Sequence, residues 1–158
     1  MDIDKRACAA AWKAYLATLP PDHPHHSHEP TAFGFGHTPA LADDLAALVL
    51  RGQKRATTSL AIEYTADNLP LPVAGDLTII TQGDGLPCAV IERSSVTTVP
   101  FAAVDAEYAA IEGEGDGSLS FWRTAHRAYF SGAAARLGGQ FDDQTPVLCQ
   151  VFHVIWTA

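Results

Sequence analysis

Lys54 and Thr57 lie three residues apart in the run Gly52-Gln53-Lys54-Arg55-Ala56-Thr57-Thr58. A lysine beside a partly buried hydroxyl can serve chemistry in two ways. Desolvated, its ammonium releases a proton more readily and the amine acts as a base. Charged, it stabilises an oxyanion or a phosphate. Gly52 ends a predicted helix and an extended segment follows at once, so these basic side chains stand where a barrel mouth takes ligands. Strand alternation sends residues 54 and 57 to opposite faces unless a turn or bulge lies between them. The competing reading is a solvated helix end, where Lys and Arg favour the dipole; residue types alone favour it.

Glu92 follows the apolar stretch Cys88-Ala89-Val90-Ile91 and shares a strand face with Val90. On an inner face it would need a partner such as Lys54; on an outer face it would pair with Arg93 or with nothing. Trp122, Arg123, His126, Tyr129 and Phe130 form a third group, with Trp122 and His126 four residues apart on one helical face. Aromatic, guanidinium and imidazole groups together suit stacking on a base and holding a phosphate, while a buried aromatic stripe is the plainer account. Glu112-Gly113-Glu114-Gly115-Asp116 brings three carboxylates near glycines. Such a set could bind a hard divalent cation, the one candidate cofactor, but its spacing is not that of a calcium loop, so a solvated acidic loop is expected. His23, His25, His26 and His28 lie in a Pro-containing stretch with the look of a surface loop and are given no specific role. No GxGxxG, GxxxxGK[ST], HExxH or GxSxG motif occurs.

Several short elements must position these groups. Residues 4–19 read as an amphipathic helix stopped by Pro20-Pro21, and residues 20–37 as a loop that Phe33 and Phe35 pin to the core. Thr38 followed by Pro39 starts a second helix that ends at Gly52. Strands are expected at residues 55–61, 77–81, 86–99 and 146–157, with a hairpin turn at 82–85. A short helix is expected at 101–110, and a longer one, capped by Ser118, running to about Phe130. Short strands with peripheral helices and no regular strand–helix–strand alternation point to a compact barrel rather than a doubly wound sheet.

The 158 residues fit one domain, and 47% apolar with 18% charged residues is an ordinary globular composition. No run of 18 apolar residues and no apolar leader occurs, so neither a membrane span nor a secretory signal is expected. Three widely spaced cysteines read as reduced thiols of a cytoplasmic protein. A net charge of -8 with only 10 Lys and Arg argues against broad binding to nucleic acid, though not against a small basic site.

The ordered series Gly52-Gln53-Lys54-Arg55-Ala56-Thr57-Thr58, Gly75-Asp76, Cys88-Ala89-Val90-Ile91-Glu92, Glu112-Gly113-Glu114-Gly115-Asp116 and Trp122-Arg123-x-x-His126-x-x-Tyr129-Phe130 resembles the ASCH domain family over roughly residues 33–157. The resemblance implies an α+β, PUA-like small β-barrel of about five to six strands with peripheral helices. It makes the whole chain a single domain, with an N-terminal helix and His/Pro-rich loop (about 1–32) leading in. Family enzymes are of two kinds, a ribonuclease acting on single-stranded RNA and an amidohydrolase that removes acetyl from N4-acetylcytidine. For the second kind the motif maps onto Lys54, Thr57 and Glu92. The Trp-Arg-x-x-His helix brings this chain nearer the ribonuclease-type members, so cleavage of single-stranded RNA is the leading expectation. Arg55, Thr58, Trp122, Arg123, His126, Tyr129 and Ser131 would then contact RNA. Amide hydrolysis of a modified nucleoside and a non-catalytic RNA or nucleoside reader are the alternatives. Oligomeric state is open, with a homodimer as one candidate.

Overall fold

Hydrophobic spacing and helix caps set most of the element boundaries seen in the computed structural model, which describes residues 2–158. Asp4 caps α1 (Lys5–Leu16) by accepting from Ala7 N. Thr38 caps α2 (Pro39–Leu50) by accepting from Leu41 N, with proline at the first position. The remaining elements are β1 (Thr31–Gly34), β2 (Ala56–Leu60), α3 (Ala61–Thr65), β3 (Leu77–Thr81), β4 (Pro87–Pro100), α4 (Ala106–Glu112), α5 (Leu119–Arg136) and β5 (Pro146–Thr157). The strands form one five-stranded sheet in the order β1-β3-β4-β5-β2. The class is α+β, as expected. Among the described residues no helix is long and apolar enough to cross a membrane.

The chain groups into two compact units. The first takes the chain through Gly52, then residues 75–93 and 152–158. In it β1 runs parallel to β3, and β3 pairs antiparallel with β4, Leu77 opposite Glu92. The strand period of two sorts its apolar run onto two faces. Ile80, Ala89 and Ile91 pack with Leu45, Val49 and Phe152, whereas Ile79 and Val90 pack with Cys8 and Tyr15. A sheet covered on both faces explains why Cys88–Ile91 reads as continuous apolar sequence rather than as an alternation.

The second unit takes residues 53–74 and 94–151. There β2 pairs antiparallel with β5, from Ala56 opposite Val151 to Leu60 opposite Val147. Its core joins Leu60, Phe101, Trp122, Phe130, Val147 and Cys149. All three cysteines of the chain are free and buried. Burial raises the Cys88 thiol to about 11 and the Cys149 thiol to about 12.

Several sequence expectations are corrected. The 20–37 loop contains β1, held to β3 partly by a 2.8 Å bond between the Thr31 and Thr78 hydroxyls. Four residues carry too little propensity to announce a strand; the neighbouring strand supplies the reason for it. The helix expected at 101–110 divides into a 3₁₀ turn, Phe101–Ala103, and α4, because Asp105 caps a new start by accepting from Tyr108 N. That shift carries helix through Glu112. The last long helix continues past Phe130 to Arg136, burying Ala133 and Ala134. The expected 4–19 helix stops at Leu16, and the five-residue α3 gave no sequence signal.

Candidate active site

Four segments of the second unit converge on one buried carboxylate. Lys54 stands just before β2, and its extended backbone places Lys54, Ala56, Thr58 and Leu60 on the buried face. Helix α4 presents Tyr108 and Glu112, four residues apart, and α5 presents Trp122 and His126 at the same spacing. The glycine-flanked loop after α4 supplies Glu114. Gly113 makes the exit from α4 possible with a φ of 69°. A Cβ there would sit 2.1 Å from the Gln53 carbonyl oxygen. The segment beside it is stitched by Arg55 N donating to Ile111 O at 3.0 Å and Gln53 Nε2 donating to Gly113 O at 3.1 Å.

Lys54 is 1% exposed. Its Nζ donates to Ala56 O at 2.9 Å, to Glu112 Oε1 at 3.5 Å and to Glu114 Oε1 at 2.5 Å. Three acceptors facing one nitrogen require three N–H bonds, hence an ammonium. Glu112, also 1% exposed, receives three further donors. Trp122 Nε1 donates to Oε2 at 2.6 Å, the Thr58 hydroxyl to Oε2 at 2.8 Å, and His126 Nε2 meets Oε1 at 3.2 Å. Burial by itself would raise the pKa of this carboxyl. The Lys54 charge, the His126 ring and the Trp122 N–H outweigh it and hold Glu112 down to about 2.

His126 stacks on Trp122, ring centres 4.2 Å apart and 17° from parallel. Its Nδ1 lies 2.9 Å from Trp122 O and its Nε2 faces the Glu112 carboxylate. A carbonyl and an ionised carboxylate only accept, so both ring nitrogens donate and the ring is an imidazolium. The electrostatic surroundings point the same way. Burial pulls His126 down, yet its bond to Glu112 and the Glu112 and Glu114 charges carry it above its ordinary value. The cluster therefore sets an ammonium and an imidazolium against two carboxylates. Tyr108 closes the far side, donating to Thr57 O at 2.9 Å with its hydroxyl 3.0 Å from that of Thr58.

Of the residues singled out in the sequence, Lys54, Thr58, Trp122 and His126 come together. Thr57 pairs with Gln150 and, by alternation, its side chain takes the face of β2 opposite Thr58. Glu92 belongs to the first unit, 3.5 Å from His153. The side chains of Arg55 and Ser131 are exposed. Arg123 donates to Ala102 O, and Tyr129 donates to Glu63 at 2.7 Å. Glu112 and Glu114, expected in a solvated acidic loop, instead face Lys54, and Tyr108 is the one member of the cluster that sequence reasoning passed over. A Tyr–Glu pair at helical spacing in α4, matching Trp122 and His126 in α5, was the available signal. The histidines of the N-terminal turn bond locally, His25 Nδ1 with the Tyr15 hydroxyl and His26 and His28 with backbone carbonyls. Among the described residues no group of three or more His, Cys, Asp or Glu could hold a metal ion.

The fold and site define a small α+β domain whose second unit buries a Lys–Glu–His centre. The ASCH domain model matches residues 31–156, and the chain belongs to the ASCH domain family. The crystal structure of an ASCH domain from Lactobacillus crispatus JV V101 is similar along its length, with 31% identity, a TM-score of 0.89, and coverage of 100% of this chain and 98% of that one. A protein of Enterococcus faecalis V583 is similar at 27% identity and a TM-score of 0.84, covering 96% and 90%. No curated protein matches the chain significantly.

Proposed function

We propose that this protein is a ribonuclease acting on single-stranded RNA, with Lys54 and His126 at its catalytic centre. The observation that carries this reading is the sheltered ammonium of Lys54 beside a His126 ring whose two nitrogens both face acceptors. In attack of a ribose 2′-hydroxyl on the adjacent phosphorus, charge builds on the non-bridging oxygens and the leaving 5′-oxygen needs a proton. An ammonium answers the first need and an imidazolium the second. Glu112 is too weak a base to take the proton of the 2′-hydroxyl at neutral pH, so that proton passes to solvent water as the 2′-oxygen bonds to phosphorus and His126 protonates the leaving 5′-oxygen. The part of Glu112 is to stay ionised and hold both cations in place.

The amidohydrolase alternative needs Thr57 as nucleophile beside Lys54. The hydroxyl that shares the buried cluster is that of Thr58, which supports phosphate chemistry over amide chemistry here.

Replacing Lys54 by alanine alone is a poor test. It strands a buried carboxylate, which costs roughly 3–5 kcal/mol. The pair Lys54→Met with Glu112→Gln removes both charges and keeps the volume. The expected result is a folded protein with no cleavage of a labelled single-stranded RNA, while wild-type protein purified in parallel cleaves it. Cleavage at the wild-type rate by the double variant, or release of acetate from N4-acetylcytidine by the wild type without RNA cleavage, rejects the ribonuclease.

A further inference from the structure

The Lys54 ammonium already meets three acceptors, so a ligand oxygen can reach it only where one of them gives way. Ala56 O belongs to the backbone of β2, paired with β5. Glu112 is pinned by Trp122, Thr58 and His126. Glu114 differs from both. Its side chain is 18% exposed, and it sits between Gly113 and Gly115, at φ 69° and 58°. Its Oε1 makes the closest contact in the cluster with Nζ, a charge-assisted hydrogen bond between the two side chains.

We propose that the position of the Glu114 carboxylate is the anion subsite of this centre, where the side chain stands in for a phosphate oxygen of the ligand. The inference rests on the ribonuclease reading only for the identity of that ligand; the subsite itself is a property of Lys54 and its surroundings. Charge supports the exchange. With Glu114 in place, two cations face two carboxylates. With Glu114 swung out, Lys54 and His126 face Glu112 alone, and the single positive charge left over matches one phosphodiester. The protein's own carboxylate thus competes with the ligand, and apparent affinity falls in proportion to the time Glu114 spends bound.

The test uses the full chain, with inorganic phosphate and with a single-stranded oligonucleotide made uncleavable by 2′-deoxy substitution, each titrated calorimetrically. Glu114→Gln and Glu114→Ala are expected to bind both probes roughly tenfold more tightly than wild type, since the competitor is gone. Lys54→Met with Glu112→Gln is expected to lose that binding. If wild type binds as tightly as the Glu114 variants, or more tightly, the subsite is not where Glu114 sits and the ribonuclease reading stands. If none of the proteins binds either probe, Lys54 holds no anion and both proposals fall together.

Discussion

At the scale of single residues, Glu112 is the centre on which the others depend. Its two oxygens take hydrogens from Trp122, Thr58, His126 and Lys54, so a buried charge is matched on every side. The pH dependence follows from the directions of its shift and that of His126. His126 is raised in the folded state, so its contribution is complete below the ordinary value of 6.5 and fades as pH rises through the folded value. Glu112 is lowered, so its contribution is complete above the ordinary value of 4.5 and fades as pH falls towards 2. Stability from this pair is therefore fullest between pH 4.5 and 6.5. Urea unfolding across pH should show that maximum in wild type and a flatter curve in Glu112→Gln, whose neutral amide couples to neither titration. An unchanged curve would refute the assignment. Lys54 and His126 were legible in the sequence because their side chains are rare and chemically loaded. Glu112 was not, since an acidic residue among glycines has the composition of a solvated loop. Only partners that are distant in sequence, Lys54 and Trp122, reveal what neutralises it.

At the scale of elements, the exit from α4 decides whether Glu112 and Glu114 point at Lys54. Gly113 combines a left-handed backbone with a 2.1 Å approach between its absent Cβ and the Gln53 carbonyl. Gly113→Ala meets both obstacles at once. We expect it to destabilise the fold by about 2–3 kcal/mol or more, read as a lower midpoint in thermal melts. Cleavage should fall further than in an alanine control at the exposed Gly138, whose φ is 75° but whose Cβ would meet nothing. Caps were the most readable signals: Thr38 before Pro39, and Ser118 before α5, both act as their residue types dictate. The strand β1 and the displaced start of α4 were not readable. The first depends on β3 for its partners, and the second turns on whether Asp105 or the residues near Phe101 win the helix start.

At the scale of the whole molecule, the charge of -8 sets a limit on how RNA can be held. A long track of phosphate contacts would need a basic face, and only 10 Lys and Arg are available, Lys54 among them already paired. Binding should use few phosphates, so its dependence on salt should be shallow. For two or three contacts the slope of log affinity against log salt is about -1.4 to -2.1, at roughly 0.7 per phosphate on a single strand. Anisotropy titrations of a single-stranded RNA over a range of salt would measure it, and a slope steeper than about -4 would contradict a compact, Lys54-centred footprint. Pattern alone gave four of the five strands and a compact fold with peripheral helices, while the α+β class and the higher strand count came with the family resemblance. The pairing order β1-β3-β4-β5-β2 was legible in neither, because it depends on which distant strands meet.

The three sequestered thiols have a practical corollary. With Cys88 and Cys149 both lifted well above neutrality, and Cys8 buried and raised as well, little thiolate exists to react with an alkylating reagent at neutral pH. The native chain is therefore expected to react slowly with maleimides at neutral pH, which a thiol-labelling time course on the folded protein would check. A cysteine introduced at the exposed Ser131 would thus take a fluorophore alone, giving a reporter on α5 without first stripping the natural cysteines from the protein.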